Sequence, residues 1–370
     1  MWADVPFTGR TGERQAIRAA LHQGRGILIV GEAGAGRNRL LAEAVPWHES
    51  VVRVVGMTPE TPFGAFAHLL PGTPDPVNPV GWAADRLAAD VLVVRDTHLL
   101  DASSAALCGH LVRNLGVRLA ATALAGAPIP GPLLALWKDG ILGRLDLGPL
   151  SVHETARLLA GMLGGQVEGL TVRRLWHATQ GNPRFLVELV RSGQLAHSGG
   201  LWRWHGEFVL TERLRQLIEA AIGEVNEAER EVLEFVAFGP SLDLDALLEL
   251  VSAEAAERLE GRGLIVLERS AARVRLRHPL FAYVIRTWAG PVRTRHRLAK
   301  VMRLRGGDDQ EDLQLSARER EVARLASWDL TNREIAELLT VSQRTVGNHL
   351  YRIYAKLGVN DRRDLARLLA

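Results

Sequence analysis

The stretch from Gly31 to Asn38 reads GEAGAGRN. Its layout is G-x-x-x-x-G-K-[ST], a loop in which glycines let backbone amides close around phosphates, a lysine reaches the β- and γ-phosphates, and a hydroxyl holds magnesium. Gly31, Gly34 and Gly36 keep the glycine pattern, but Arg37 stands at the lysine position and Asn38 at the hydroxyl position. The first lysine in the chain is Lys138, so no local lysine takes over. The strand-like run Val91–Val94 leads into Arg95-Asp96, a single acid preceded by a cation. A cation at position 95 repels metal rather than supporting it. Gly31, Gly34, Gly36, Arg37, Asn38 and Asp96 form a degenerate nucleotide-binding set, in which a scaffold with little nucleotide chemistry is expected, with no catalytic residue and no metal site.

A second group of residues begins near Leu313. Ser316 with Glu319, and Thr331 with Glu334, form S/T-x-x-E capping boxes, which start helices at Ala317 and Asn332. Ser342 caps a third helix, Gln343 to about Leu357, closed by Gly358. Only Thr340, Val341 and Ser342 separate the second helix from the third, a spacing that fits a helix-turn-helix. Val346, Leu350, Ile353 and Leu357 recur at helical spacing toward a small core. The opposite side carries Arg344, Gly347, Asn348, Tyr351 and Arg352, the face that could enter a major groove.

These groups need elements to hold them. Candidate strands at Gly26–Val30, Val51–Val55, Val91–Val94 and Arg118–Thr122 alternate with helical stretches, which predicts a parallel sheet with crossover helices. From Ser151 to Arg191 the pattern is helical. Helices around Glu212–Ile222, Glu227–Phe238, Asp243–Leu250 and Glu254–Arg262 are followed by a hairpin, Leu264–Glu268 with Arg273–Arg277, and a last helix, which together look like a winged helix. The acidic run from Gly306 to Asp312 marks a linker. No internal repeat is visible.

The 370 residues suffice for two or three domains with real cores. A single cysteine, Cys108, excludes disulfides and cysteine-rich zinc sites and fits a reducing cytoplasm; it reads as a buried apolar residue. No signal peptide is read at the N-terminus. The uncharged stretch Leu119–Trp137 is broken by Pro128, Pro130 and Pro132, so strand, loop and short helix are expected and no membrane partner. Between Arg262 and Arg305 there are twelve basic residues and one acid, Glu268. A nucleic-acid surface and a solvated scaffold face weigh equally there.

The stretch from Leu315 onward resembles the DNA-binding domain of the LuxR family, with Leu315, Arg318, Glu319, Asn332, Ile335, Ala336, Ser342, Thr345, Val346, His349, Lys356 and Leu357 matching together. The resemblance implies phosphate contacts from Arg344, Thr345, His349 and Lys356, and base contacts from Gly347, Asn348 and Tyr351. Gly347 departs from the long polar side chain expected there. The final helix, from about Asp361, resembles a dimerisation helix with Leu365, Leu368 and Leu369, although those leucines could equally pack within their own domain. Double-stranded DNA, a second copy of the chain and RNA polymerase are the implied partners.

Upstream, Phe7-Thr8-Gly9-Arg10 with Glu13, Thr179-Gln180-Gly181-Asn182-Pro183 and His278-Pro279-Leu280-Phe281 resemble motifs of STAND-class ATPases in family order. The whole resembles a shortened large ATP-binding LuxR regulator with degraded nucleotide residues. A structural role for Gly9, Arg10, Asn182 and His278 as turns, caps and scaffold is the competing reading. The expectation is an α/β P-loop-like domain (1–150), a helical lid (151–208), a winged-helix-like region (209–305), a linker (306–312) and an all-α LuxR-type helix-turn-helix domain (313–370). The function this resemblance implies is cytoplasmic transcription regulation with a pseudo-ATPase region and no enzyme activity. ATP or ADP held without efficient hydrolysis, a nucleotide-gated ATPase switch, and a protein-interaction scaffold are the alternatives.

Overall fold

The computed structural model describes residues 5–368 apart from 46–49, 58–60, 205–207, 240–241, 269–271, 305–314, 328–329, 358 and 360. The expected linker, the Gly358 cap and Leu369 lie outside the described residues. The chain forms two compact units, residues 1–191 with 195–204, and residues 192–194 with 205–370.

The first unit runs α1 (Thr11–His22), β1 (Gly26–Gly31), α2 (Arg37–Ala44), β2 (Val51–Val55), α3 (Pro79–Ala84), β3 (Val91–Arg95), α4 (Ala102–Leu115), β4 (Arg118–Leu124), α5 (Gly131–Lys138) and β5 (Leu142–Leu147). The strands form one sheet in the order β2-β3-β4-β1-β5, every pair parallel. Parallel strands covered on both faces read as continuous apolar runs, and all six residues of β1 are buried. Alternate side chains serve two cores. Leu28, Val30, Leu92, Val94 and Leu119 pack with Leu107 and Cys108 of α4. Ile27, Ile29, Val91 and Val93 pack with Ile17 of α1 and Leu40 of α2. Burial pushes the Cys108 thiol up to about 12, in keeping with an inert core residue. The stretch Leu119–Trp137 is β4, a loop and α5, and among the described residues no helix is long and apolar enough to cross a membrane.

This topology sets the carboxyl ends of β1, β3 and β4 side by side, the crevice where open α/β sheets hold ligands. The edge strand β5 lacks the expected signal because only Leu142 and Leu147 of its LGRLDL are buried. After it come α6 (Val152–Leu163), α7 (Gly169–Thr179), α8 (Pro183–Arg191) and a hairpin, β6 (Leu195–Ser198) with β7 (Leu201–Trp204). The hairpin departs from the all-helical reading of this region. Its turn, Gly199-Gly200, has both φ angles positive, at +60° and +77°, the conformation that makes a glycine pair a two-residue hairpin signal.

The second unit opens with α9 (Glu212–Ile222), α10 (Glu227–Phe238), β8 (Leu242–Asp243), α11 (Leu244–Leu248), α12 (Ala253–Gly261), β9 (Ile265–Glu268), β10 (Arg273–Leu276), α13 (Phe281–Trp288) and α14 (Pro291–Leu304). The small antiparallel sheet has the order β8-β10-β9, and Gly290-Pro291 splits the expected last helix in two. Much of the basic stretch serves this scaffold. Glu234 of α10, with no exposed surface, accepts from Arg230 at 3.2 Å, Arg297 at 3.3 Å and Arg293 at 3.5 Å. Arg262 pairs with Glu229 at 3.4 Å, and Arg275 with Glu268 at 2.5 Å. The buried Glu234 and Glu229 carboxylates require such partners, and the part-exposed Glu268 takes Arg275, so these arginines answer acids within the fold. The unit ends with α15 (Ala317–Ser327), α16 (Asn332–Leu339), α17 (Gln343–Leu357) and α18 (Arg362–Leu368).

Candidate nucleic-acid interface and phosphate loop

The helix-turn-helix is held by short-range bonds legible in its sequence. Ser316 N donates to Glu319 Oε2 at 2.8 Å, and Glu319 N to Ser316 Oγ at 3.3 Å. Thr331 N donates to Glu334 Oε2 at 2.7 Å, and Glu334 N to Thr331 Oγ1 at 3.1 Å. Thr345 N donates to Ser342 Oγ at 3.1 Å, capping α17. The turn is closed by Thr340 at φ +54°, a left-handed conformation uncommon for a β-branched residue, with Val341 N donating to Ala336 O at 2.9 Å.

Val346, Leu350 and Ile353 bury one side of α17, which packs against α15 and α16, where Val322, Leu325 and Ile335 are buried. The other side exposes Arg344, Asn348, Tyr351 and Arg352, with Tyr351 78% exposed; Thr345, Gly347 and His349 are half-buried beside them. A row of exposed polar and basic side chains on a braced helix is the geometry that reads base edges and phosphates. Nothing lies within 4 Å of a Cβ added to Gly347, so packing within the domain does not require glycine there. Gly347→Ala is therefore expected to stabilise the domain by about 1 kcal/mol, by removing the entropy cost of glycine inside a helix. A thermal melt checks this, and a lower melting temperature would show a constraint on the backbone.

Lys356, matched by resemblance to a phosphate contact, instead donates to Glu319 Oε2 at 2.6 Å. Glu319 is 5% exposed. Its carboxyl is held down to about 2, first by the Lys356 hydrogen bond and then by the Ser316 amide. Because the folded value is depressed, this contribution to stability is complete above the unfolded value near 4.5 and is lost as pH falls toward 2. The domain should therefore lose stability in that window, and Glu319→Gln should flatten the loss. An acid titration followed by circular dichroism distinguishes the two.

Other family-matched residues brace the domain. Arg318 donates to Leu339 O at 2.6 Å, and Asn332 Oδ1 accepts from Arg362 of α18 at 2.7 Å. In α18, Leu365 is fully buried within the domain while Leu368 is 49% exposed.

In the first unit, Gly34 and Gly36 have φ +81° and +93°, which only glycine adopts readily. They shape the loop that leads from β1 into α2. Asn182 ties the loop to the region after β5, donating from Nδ2 to Ala33 O at 2.8 Å while Oδ1 accepts from Arg184 N at 3.0 Å at the start of α8. A Cβ at Gly34 would lie 2.6 Å from Asn182 Oδ1. Arg10 donates to Gly148 O at 2.5 Å and pairs with Glu13 at 2.9 Å, and its amide reaches Glu154 Oε1 at 3.4 Å. These bonds make Arg10 and Asn182 parts of the scaffold. His278, 8% exposed and 5.0 Å from the Phe281 ring centroid, belongs to the other unit.

The substituted residues join one network at the sheet crevice. Asn38 Nδ2 donates to Asp96 Oδ2 at 2.9 Å, Thr122 Oγ1 donates to Asn38 Oδ1 at 2.7 Å, and Asp96 N donates to Thr122 Oγ1 at 2.9 Å. Arg37 Nη2 lies 3.6 Å from Asp96 Oδ1. Burial pulls the Arg37 guanidinium below the usual arginine range, with Asp96 opposing. His98 lies in the same field, held below the usual histidine range mainly by burial. Arg95 ends β3 exposed to solvent. Magnesium needs oxygen ligands in near-octahedral array. Here the Asn38 oxygen accepts the Thr122 proton, both Asp96 oxygens have protein partners, and a guanidinium stands alongside. The donor set does not fit the metal. Thr122 was not foreseen as a member of this site; its only signal is a lone hydroxyl in the apolar run LAATAL at a strand end.

Residues 313–369 match the family model for bacterial regulatory proteins, luxR family. Curated relatives from Mycobacterium bovis and Mycobacterium tuberculosis, named as HTH-type transcriptional regulators, are 51% identical over 51 residues. Those residues are 14% of this chain and 6% of each relative, so the likeness spans a small part of both. Among solved structures, a STAND protein with a tetratricopeptide repeat sensor from Pyrococcus horikoshii aligns at TM-score 0.39 and 15% identity, covering 96% of this chain and 53% of that one. The Aeropyrum pernix ORC1 protein in complex with DNA aligns at TM-score 0.39 and 14% identity, covering 82% and 97%. At these scores nothing about activity follows from the structural likenesses. The helix-turn-helix geometry and the sequence match coincide over the same residues, and the C-terminal segment 313–369 is a helix-turn-helix domain of the luxR family.

Proposed function

We propose that this chain is a DNA-binding transcriptional regulator that docks α17 in the major groove and carries a first unit that does not hydrolyse ATP. The observation that carries the DNA reading is the exposed row Arg344, Asn348, Tyr351 and Arg352 above buried Val346, Leu350 and Ile353. Arg344, Thr345 and His349 serve phosphates, and Asn348 with Tyr351 serve base edges. Double-stranded DNA is the partner, bound by a homodimer that uses the exposed part of α18, with RNA polymerase as the downstream partner and the cytoplasm as the compartment. Selection of genomic duplex fragments on the purified full chain should enrich one motif. Asn348→Ala should relax that motif more than it lowers affinity for unrelated duplex. No retention of any fragment at low salt would sink the reading.

The non-enzymatic part rests on the crevice network, whose oxygens are committed to protein partners. One observation favours a second reading, nucleotide held without turnover: Arg37 Nη1 is buried at the head of a glycine-shaped loop with no hydrogen-bond partner among the described residues. That donor and the amides at the start of α2 suit a phosphate oxygen. Calorimetry of the full chain with ADP in EDTA separates the readings, since heat of binding without metal supports the second and its absence supports a pure scaffold.

A further inference from the structure

We propose that the cleft between α12 and the β8-β10-β9 sheet binds a small amphipathic cation, an alkyl- or arylammonium. The cleft encloses about 240 Å³. Its origin is in the sequence of α12, which turns Ala253, Ala256, Glu257 and Glu260 to one side, the i, i+3, i+4, i+7 face of a helix. Across from them stand Ile265 and Leu267 of β9 and Val274 of β10, with Leu244 and Leu248 of α11 at the end. Two alanines opposite three large aliphatic residues leave the space. A leucine at either alanine would fill it, and an unfilled apolar hollow lowers stability.

The charge at the mouth selects the ligand. Three arginines of this region pair with acids that do not line the cleft. Arg258 pairs with Glu229 at 3.2 Å and Glu254 at 2.6 Å, Arg262 pairs with Glu229, and Arg275 pairs with Glu268. Among the described residues, neither Glu257 nor Glu260 makes an ion pair, and both are exposed. The lining is therefore aliphatic with two carboxylates, one helical turn apart, that have no cationic partner among the described residues. An apolar body in the hollow places an ammonium group beside both carboxylates, where opposite charges attract. An anion of equal length meets repulsion at the same point, and DNA phosphates are disfavoured for the same reason. The volume lies below the usual range for drug-sized ligands, which points to a short chain or a single ring.

The test uses octylammonium and octanoate with the full chain, by calorimetry and thermal melting. Octylammonium below its micellar concentration should bind saturably and raise the melting temperature of the second unit, and octanoate should do neither. Ala256→Leu should abolish the binding. Because that variant could misfold, the exposed double variant Glu257→Gln with Glu260→Gln serves as the second arm. It should keep the circular dichroism spectrum and weaken octylammonium by roughly threefold to tenfold. No saturable binding of octylammonium, equal binding of octanoate, or undiminished affinity in the double glutamine variant would each overturn the proposal.

Discussion

Replacing Lys356 with methionine is expected to destabilise the C-terminal domain by about 2–3 kcal/mol, because it leaves the nearly buried Glu319 carboxylate without its cation. The figure is placed below that of a fully buried pair because the Lys356 side chain is 39% exposed. The same change should leave the salt dependence of DNA binding intact at temperatures where the domain is folded. Arg344→Ala should behave in the opposite way. Its side chain is exposed on α17, so the melting temperature should hardly move, while the slope of log K against log salt should flatten by about 0.9 for the lost phosphate contact. Melting curves and a salt series by fluorescence anisotropy on both variants decide the matter. A flattened slope with an unchanged melting temperature for Lys356→Met would return Lys356 to the DNA interface.

Asp96→Ala is expected to cost the first unit about 3 kcal/mol, since it removes the carboxylate paired with the buried Arg37 guanidinium and breaks the Asn38 hydrogen bond. Asp96→Asn should fall between the variant and the natural chain. The natural chain should release no phosphate from ATP in a magnesium-dependent manner, because lysine, hydroxyl and supporting carboxylate are replaced at one step by Arg37, Asn38 and Arg95. Single reversions should restore little; Arg37→Lys with Asn38→Thr and Arg95→Asp is the informative combination. Magnesium-dependent turnover that disappears in Asp96→Ala would establish a working site, and an unchanged melting temperature in Asp96→Ala would show that the network does not brace the unit.

Where local rules decide structure, the sequence was legible. The capping pairs Ser316/Glu319 and Thr331/Glu334 place the starts of α15 and α16 at Ala317 and Asn332, and the helices Glu212–Ile222 and Glu227–Phe238 have the bounds their apolar period suggests. Four sheet strands follow from apolar runs because both faces of the sheet are covered. β5 escapes the same logic as an edge strand whose polar residues face outward. Long-range side-chain partners were not legible. Lys356 and Glu319 lie 37 positions apart, and Asn38 and Thr122 lie 84 apart, so nothing local announces either bond. Nor could charge composition separate arginines that seek nucleic acid from Arg293 and Arg297, which answer the buried Glu234.

DNA binding through α17 without nucleotide chemistry is decided by one titration. The full chain is added to labelled duplex from upstream of its own gene, across a salt series, with magnesium and ATP, with magnesium and ADP, and with neither. One affinity is expected in all three nucleotide conditions, falling steeply with salt and weakened by Arg344→Ala. An affinity that changes with the nucleotide, or no binding at low salt in any condition, would contradict it.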